Sequence, residues 1–138
     1  MAENIRLEVV TPEQFVISEE VQIVVAPGVM GEFGVLPGHT PFLSELKLGT
    51  IRYKDAQGVE RAVFVSGGFA EALPDKVTVL AESAERRRDI DAERAKIALE
   101  RAQKRLADAK EDIDYVRARA ALERAMQRLK VASTKRAQ

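Results

Sequence analysis

The chain has 138 residues, 46% of them hydrophobic and 32% charged, and its 22 basic side chains balance its 22 acidic ones. That composition supports one modest core, and the lack of a basic excess argues against a general nucleic-acid or membrane-surface binder. There is no cysteine, which excludes disulfides and thiolate metal sites and fits a cytosolic chain.

Taken in order, Met1–Val10 alternates polar and apolar residues, with Ile5, Leu7 and Val9 on one face, the period of a half-buried strand rather than a signal peptide. Val21–Val25 is a β-branched run. The stretch Pro27-Gly28-Val29-Met30-Gly31-Glu32-Phe33-Gly34 lacks the Lys-Ser/Thr ending of a phosphate loop and reads as a tight loop between strands with Glu32 at its tip. Ile51–Tyr53 and Ala62–Val65 flank a hairpin turn at Asp55-Ala56-Gln57-Gly58, and Phe69–Leu73 and Lys76–Leu80 flank one at Pro74-Asp75. Short strands at this spacing predict a sandwich or flattened barrel.

From Ala81 onward the composition changes. All 8 glycines and all 5 prolines lie at or before Pro74, and the net charge passes from −5 over residues 1–80 to +5 over residues 81–138. Helix formers dominate the second part, which contains an internal repeat offset by 23 residues. Asp89-Ile90-Asp91 recurs as Asp112-Ile113-Asp114, and Ala98-Leu99-Glu100-Arg101-Ala102 recurs as Ala121-Leu122-Glu123-Arg124-Ala125. Each copy opens with aspartates suited to capping a helix. Ala95, Ala98, Ala102 and Leu106 share one helix face, as do Ala118, Ala121, Ala125 and Leu129, so two helices can approach closely while burying little area. The link Ala107–Glu111 is short, which predicts an antiparallel pair. It holds neither glycine nor proline, which permits a second, extended state. No segment approaches the roughly 20 apolar residues of a membrane span.

Chemistry has few candidates. His39, the one histidine, has no cysteine or second histidine to share a typical zinc site. Ser66-Gly67-Gly68 is not a nucleophile elbow. His39 therefore reads as a structural or interface residue, and neither a catalytic nor a metal site is predicted. The arginines carry more information. Arg94, Arg101 and Arg105 lie within about 40° on one helix face, and Arg117, Arg124 and Arg128 repeat the pattern. Two such rows suit either a solvated surface or an anion, whether phosphate chain or acidic protein segment. Only Tyr115 offers an aromatic platform among them, which disfavours nucleic acid.

Taken together, Gly31-Glu32-Phe33-Gly34-Val35-Leu36-Pro37-Gly38-His39-Thr40-Pro41, Ser66-Gly67-Gly68-Phe69, Pro74-Asp75-Lys76-Val77 and Ile90-Asp91-Ala92-Glu93-Arg94-Ala95 closely resemble the epsilon-subunit family of bacterial F-type ATP synthases, over nearly the whole chain. The resemblance implies a β + α fold: a ten-stranded β-sandwich over residues 1–84, then an antiparallel two-helix hairpin over residues 85–138. It implies a non-catalytic rotor subunit of a proton-translocating synthase, peripheral on the cytoplasmic face of the bacterial inner membrane and not inserted in it. Its partners would be the gamma subunit, the c-ring and, with the hairpin extended, an acidic beta-subunit segment in the alpha/beta catalytic head. Gly31, Glu32, Phe33 and His39 match rotor-contact positions. The hairpin would permit rotation when folded and block ATP hydrolysis when extended. No cofactor is required. In some members ATP is a regulatory ligand of the folded hairpin, and the matching positions are Glu85, Ile90, Asp91, Arg94, Ala95, Arg101, Arg124 and Arg128. A stand-alone adaptor with a helical arm is the alternative that the architecture alone would allow.

Overall fold

The computed structural model describes residues 3–134. Nine strands come first: β1 (Ile5–Val10), β2 (Phe15–Gly28), β3 (Gly31–Val35), β4 (Phe42–Leu46), β5 (Gly49–Asp55), β6 (Glu60–Val65), β7 (Gly68–Ala72), β8 (Lys76–Ala81) and β9 (Ala84–Arg86). A short 3-10 turn at Arg87–Asp89 leads to α1 (Ala92–Asp108) and α2 (Asp112–Ala132).

The strands form one sheet folded on itself, in the order β1-β8-β7-β4-β2-β5-β6-β9, with β3 beside β2 and a further pairing of β1 with β2. β2 is the seam. Its first half pairs antiparallel with β1, and its second half pairs with β3 and β5. The register against β5 shifts between Val21 and Ile23. Such a shift bends a strand, so one continuous β2 serves both layers. The sandwich is as expected, and its strands number nine, or ten if the halves of β2 are counted apart.

The alternation in the sequence fixes which side faces in. Ile5, Leu7 and Val9 of β1, Val77 and Val79 of β8 and Ala70 and Ala72 of β7 point into a core completed by Val21, Val24, Val35, Ile51 and Tyr53. β6 differs, because Ala62–Val65 is buried throughout. Val63 and Val65 belong to the core, whereas Ala62 and Phe64 face outward under α2 with Val131, Leu48 and Ile90. A strand covered on both faces reads as an unbroken apolar run.

Two tight points fix the chain path. Gly68 has φ 139° and packs so closely on β8 that a Cβ would stand 2.0 Å from the Leu80 carbonyl oxygen, so only glycine fits. The predicted turn at Asp55–Gly58 forms, anchored by the Asp55 carboxylate. It accepts from the backbone N–H groups of Gln57 and Val59, both at 2.9 Å, and from Arg61 Nε at 3.2 Å.

The helical reading from Ala81 onward is overturned for its first ten residues. Ala84–Arg86 forms β9 on the edge of β6, with Ala84 buried and Arg86 Nε donating to the Val16 carbonyl at 2.9 Å. Tertiary pairing here overrides helix propensity. Farther on, Asp91 caps α1, its Oδ1 accepting from the Arg94 N–H at 3.1 Å. The second copy departs from the expected symmetry: Glu111 is the N-cap of α2 without a side-chain bond, and Asp112 and Asp114 lie in the first turn. Both alanine stripes pack as predicted, with Ala95, Ala102, Ala118 and Ala125 buried.

Burial works to raise the Asp55 pKa, but the bonds from Val59, Gln57 and Arg61 outweigh it and hold the carboxyl below its ordinary value. A depressed folded pKa gives stability that is complete above the unfolded value and is lost as pH falls through the folded one. Asp55→Ala should therefore cost about 1–2 kcal/mol at neutral pH. In urea titrations the gap between the two proteins should stay constant above about pH 5 and close as pH falls below about 4.

Candidate functional site

The hairpin lies folded against the outer face of β5 and β6. Phe64 is the centre of this contact: fully buried, it presents its ring to Arg128, whose guanidinium carbon sits 4.6 Å from the ring centroid. Arg128 Nε also donates to Glu85 Oε1 of β9 at 2.7 Å. Gln127 Nε2 donates to Thr50 Oγ1 of β5, and Arg87 Nε donates to the Thr134 carbonyl at 2.6 Å. An apolar contact ringed by charge-assisted bonds is specific, yet small enough to release.

The structure spreads the eight positions implied for ATP unevenly. Glu85 and Arg128 are bonded to each other, Asp91 and Arg94 meet through the α1 cap, and Ile90 packs beside Phe64. Ala95 is buried, Arg94 and Arg101 are exposed on α1, and Arg124 lines a surface cavity with Ser66, Ser83 and Glu123. Of the other members of the two arginine rows, Arg105 and Arg117 line a common cavity with Asp108 and Asp114, near the link between the helices.

At the β2–β3 end, the glycine-rich stretch is a two-residue hairpin turn. Pro27 pairs with Glu32 and Gly28 with Gly31, which leaves Val29 and Met30 at the tip. Glu32 is thus not the tip residue: the strands continue farther than the glycines suggested. Met30 takes that place, 96% exposed, while Glu32 lies on the face of β3, ion-paired with Arg52 at 2.7 Å. Gly31 opens β3 at φ 129°. The Phe33 ring meets Phe42 edge-on at 5.1 Å, and the His39 ring stands 5.0 Å from Phe42. His39 Nδ1 lies 2.6 Å from the Thr40 carbonyl oxygen, and the Gly38 N–H donates to the Pro74 carbonyl at 2.7 Å, which ties this loop to the β7–β8 turn. Among the described residues no group of three or more histidine, aspartate or glutamate side chains could hold a metal.

One surface escaped the sequence reading. On the outer face of the other layer, Val10 pairs with Phe15 of β2 and with Leu80 of β8, and Leu80 pairs with Phe69 of β7. Leu43 of β4 lies close by, opposite Glu71. Phe15, Leu43, Phe69 and Leu80 are 65%, 70%, 51% and 58% exposed. A contiguous apolar row on an otherwise charged face marks an interaction surface.

A small β-sandwich with an exposed apolar row on one outer face and a two-helix hairpin seated on the other defines the class of this protein. Comparison with known proteins gives the class a family. Residues 4–87 match "ATP synthase, Delta/Epsilon chain, beta-sandwich domain", and residues 88–133 match the "long alpha-helix domain" of the same chain. The ATP synthase epsilon chain of Desulfatibacillum aliphaticivorans is 72% identical over 106 residues, covering 77% of this chain and 75% of that one. That of Desulforapulum autotrophicum is 67% identical over 108 residues, covering 78% and 80%. Among solved structures, a chain of the Euglena gracilis mitochondrial ATP synthase superposes with TM-score 0.78 at 25% identity, covering 90% of this chain and 78% of that one. A chain of the Tetrahymena thermophila central stalk and c-ring shares the fold, with TM-score 0.63 at 11% identity. The protein belongs to the delta/epsilon-chain family of ATP synthase. Within it the chain stands with the epsilon chains, as a non-catalytic subunit of the central stalk.

Removing the Arg128 contacts should loosen the hairpin without unfolding the sandwich. Arg128→Ala loses a half-exposed ion pair and a cation–π contact, together about 1–2 kcal/mol. Amide exchange of α2 should accelerate roughly 10-fold while that of β1 and β8 stays unchanged.

Proposed function

We propose that the chain turns with the rotor of a proton-translocating F-type synthase, at the cytoplasmic face of a bacterial inner membrane, and couples c-ring rotation to ATP synthesis. The observation that carries this reading is the apolar row Phe15, Val10, Leu80 and Phe69, with Leu43 in the adjacent row, which we assign to the gamma subunit. A central-stalk subunit must dock on the shaft through a surface that stays dry as the assembly turns. A group of about five large apolar side chains is a suitable core for such an interface. The end carrying Met30, Gly31, Glu32, Phe33 and His39 then meets the polar loops of the c-ring. No helix among the described residues is long and apolar enough to cross a membrane, so attachment runs through these partners.

The hairpin is the regulatory part. Folded on β5 and β6 it leaves rotation free. Released, it extends toward the catalytic head, where its basic residues meet the acidic segment of beta and stop ATP hydrolysis. The contact around Phe64 supports this reading, because it is small and ringed by exchangeable polar bonds. Reconstituted synthase tests both halves. Phe69→Glu should abolish stable incorporation of the chain, whereas a chain ending at Asp89, which keeps β9, should incorporate normally and raise ATP hydrolysis several-fold. Incorporation of Phe69→Glu at the normal level would refute the docking face, and unchanged hydrolysis with the shortened chain would refute the regulatory role.

ATP is a ligand of the folded hairpin, held by Arg94, Arg101, Arg124 and Arg128 around Ile90-Asp91, with Glu85 in reach of the same arginine. A ligand that binds only the folded state shifts the balance toward it by its differential affinity. Calorimetric titration of ATP into the isolated chain should give saturable binding that Arg94→Ala weakens about tenfold or more. The absence of heat at millimolar ATP would reduce the arginines to protein contacts.

A further inference from the structure

Between the outer face of β5 and the last turns of α2 lies a cavity of about 510 Å3, which shares Thr50 and Gln127 with the hairpin contact and Glu32 with the β2–β3 end. Its charged lining comes from separate parts of the chain. Lys47 lies between β4 and β5, Arg52 on β5 and Lys130 on α2, and Glu32 of β3 is the one carboxylate, for a net charge of +2. Arg52 reaches Glu32 at 2.7 Å, while Lys47 and Lys130 have no carboxylate within 4.0 Å among the described residues. Thr50 and Gln127, bonded to each other, add neutral polar groups to the wall.

This arrangement leaves the cavity with a net positive charge that Glu32 offsets only in part. Seating α2 carries Lys130 to a wall that already holds Lys47 and Arg52, and like charges around one cavity repel. A multiply charged oxyanion would reverse the sign of that term. The two ammonium groups act as compact donors and the guanidinium as a planar fork, the combination that oxyanions accept. The volume falls within the roughly 300–1,000 Å3 range of small-ligand sites.

We propose that the cavity between β5 and the C-terminal turns of α2 binds a phosphate-type oxyanion, and that the bound anion pins the hairpin to the sandwich. The site is separate from the residues assigned to ATP. Lys130 stands two positions beyond Arg128, about 200° around α2, so the two side chains serve different sides of the helix. Only the folded state holds all three cations together. Anion binding and hairpin docking therefore favour each other to the same degree.

The test uses the full chain and inorganic pyrophosphate, with potassium chloride at matched ionic strength as the control. Amide exchange of α2 should slow about 10-fold at a pyrophosphate concentration ten times Kd, and chloride should not reproduce the effect. Lys47→Gln and Lys130→Gln, both at exposed positions, should each abolish most of that protection, while Arg94→Ala should keep it. No change with pyrophosphate, equal protection by chloride, or protection lost in Arg94→Ala but kept in both lysine variants would each overturn the proposal. Orthophosphate in place of pyrophosphate then shows whether a single phosphate suffices to pin the hairpin.

Discussion

The hairpin cannot hold itself in place. Its facing stripes are alanine, and alanine buries little area, so the two helices gain their position from what lies beneath them. Phe64 supplies that support. It is an apolar ring on the outer face of a strand whose other face already lines the core, and it meets Ile90, Val131 and the Arg128 guanidinium at once. The placing of α1 and α2, the meeting of Glu85 with Arg128 and the basic cavity beside Thr50 all follow from this one covered surface.

The two layers of the sandwich divide the work accordingly. The layer containing β1, β8, β7 and β4 keeps its outer face open, with apolar residues in one row and Glu8, Thr78 and Glu71 in the next. The layer containing β5, β6 and β9 gives its outer face to the hairpin. A domain of this size has only two broad faces, so the proposed rotor contact and the proposed regulatory contact can coexist only on opposite sides. β2 makes this possible by passing through both layers without a break.

Much of this was legible in the sequence, and the failures have physical reasons. The alanine stripes and the Asp55–Gly58 turn depend on spacing within a few residues, which a linear reading can follow. β9 was missed because Ala84, Glu85 and Arg86 are individually good helix formers, and their extended form comes from pairing with β6, about 20 residues earlier in the chain. Glu32 was expected at the tip because Gly31 and Gly34 suggest a wide loop, whereas pairing continues to the Gly28–Gly31 pair. The apolar row joins Phe15, Val10, Leu80 and Phe69 through the register of four strands. The basic cavity joins Lys47, Arg52 and Lys130 through a helix–sheet contact. Neither set has a period to find, and both appear only once the registers are known.

The position of β1 has a consequence for how the molecule assembles. β1 lies between β2, which follows it directly, and β8, about 70 residues later, with which it pairs in parallel. Long-range pairings of this kind close slowly, while helices with local contacts form quickly. The sandwich therefore cannot be completed until nearly two-thirds of the chain has been synthesised. The helices, made last, form readily but have no surface to settle on until β6 is in place. Docking of the hairpin is accordingly the final event of folding and the first to be undone. The step by which the hairpin would later be released retraces, in the finished protein, the last stage of the molecule's own construction.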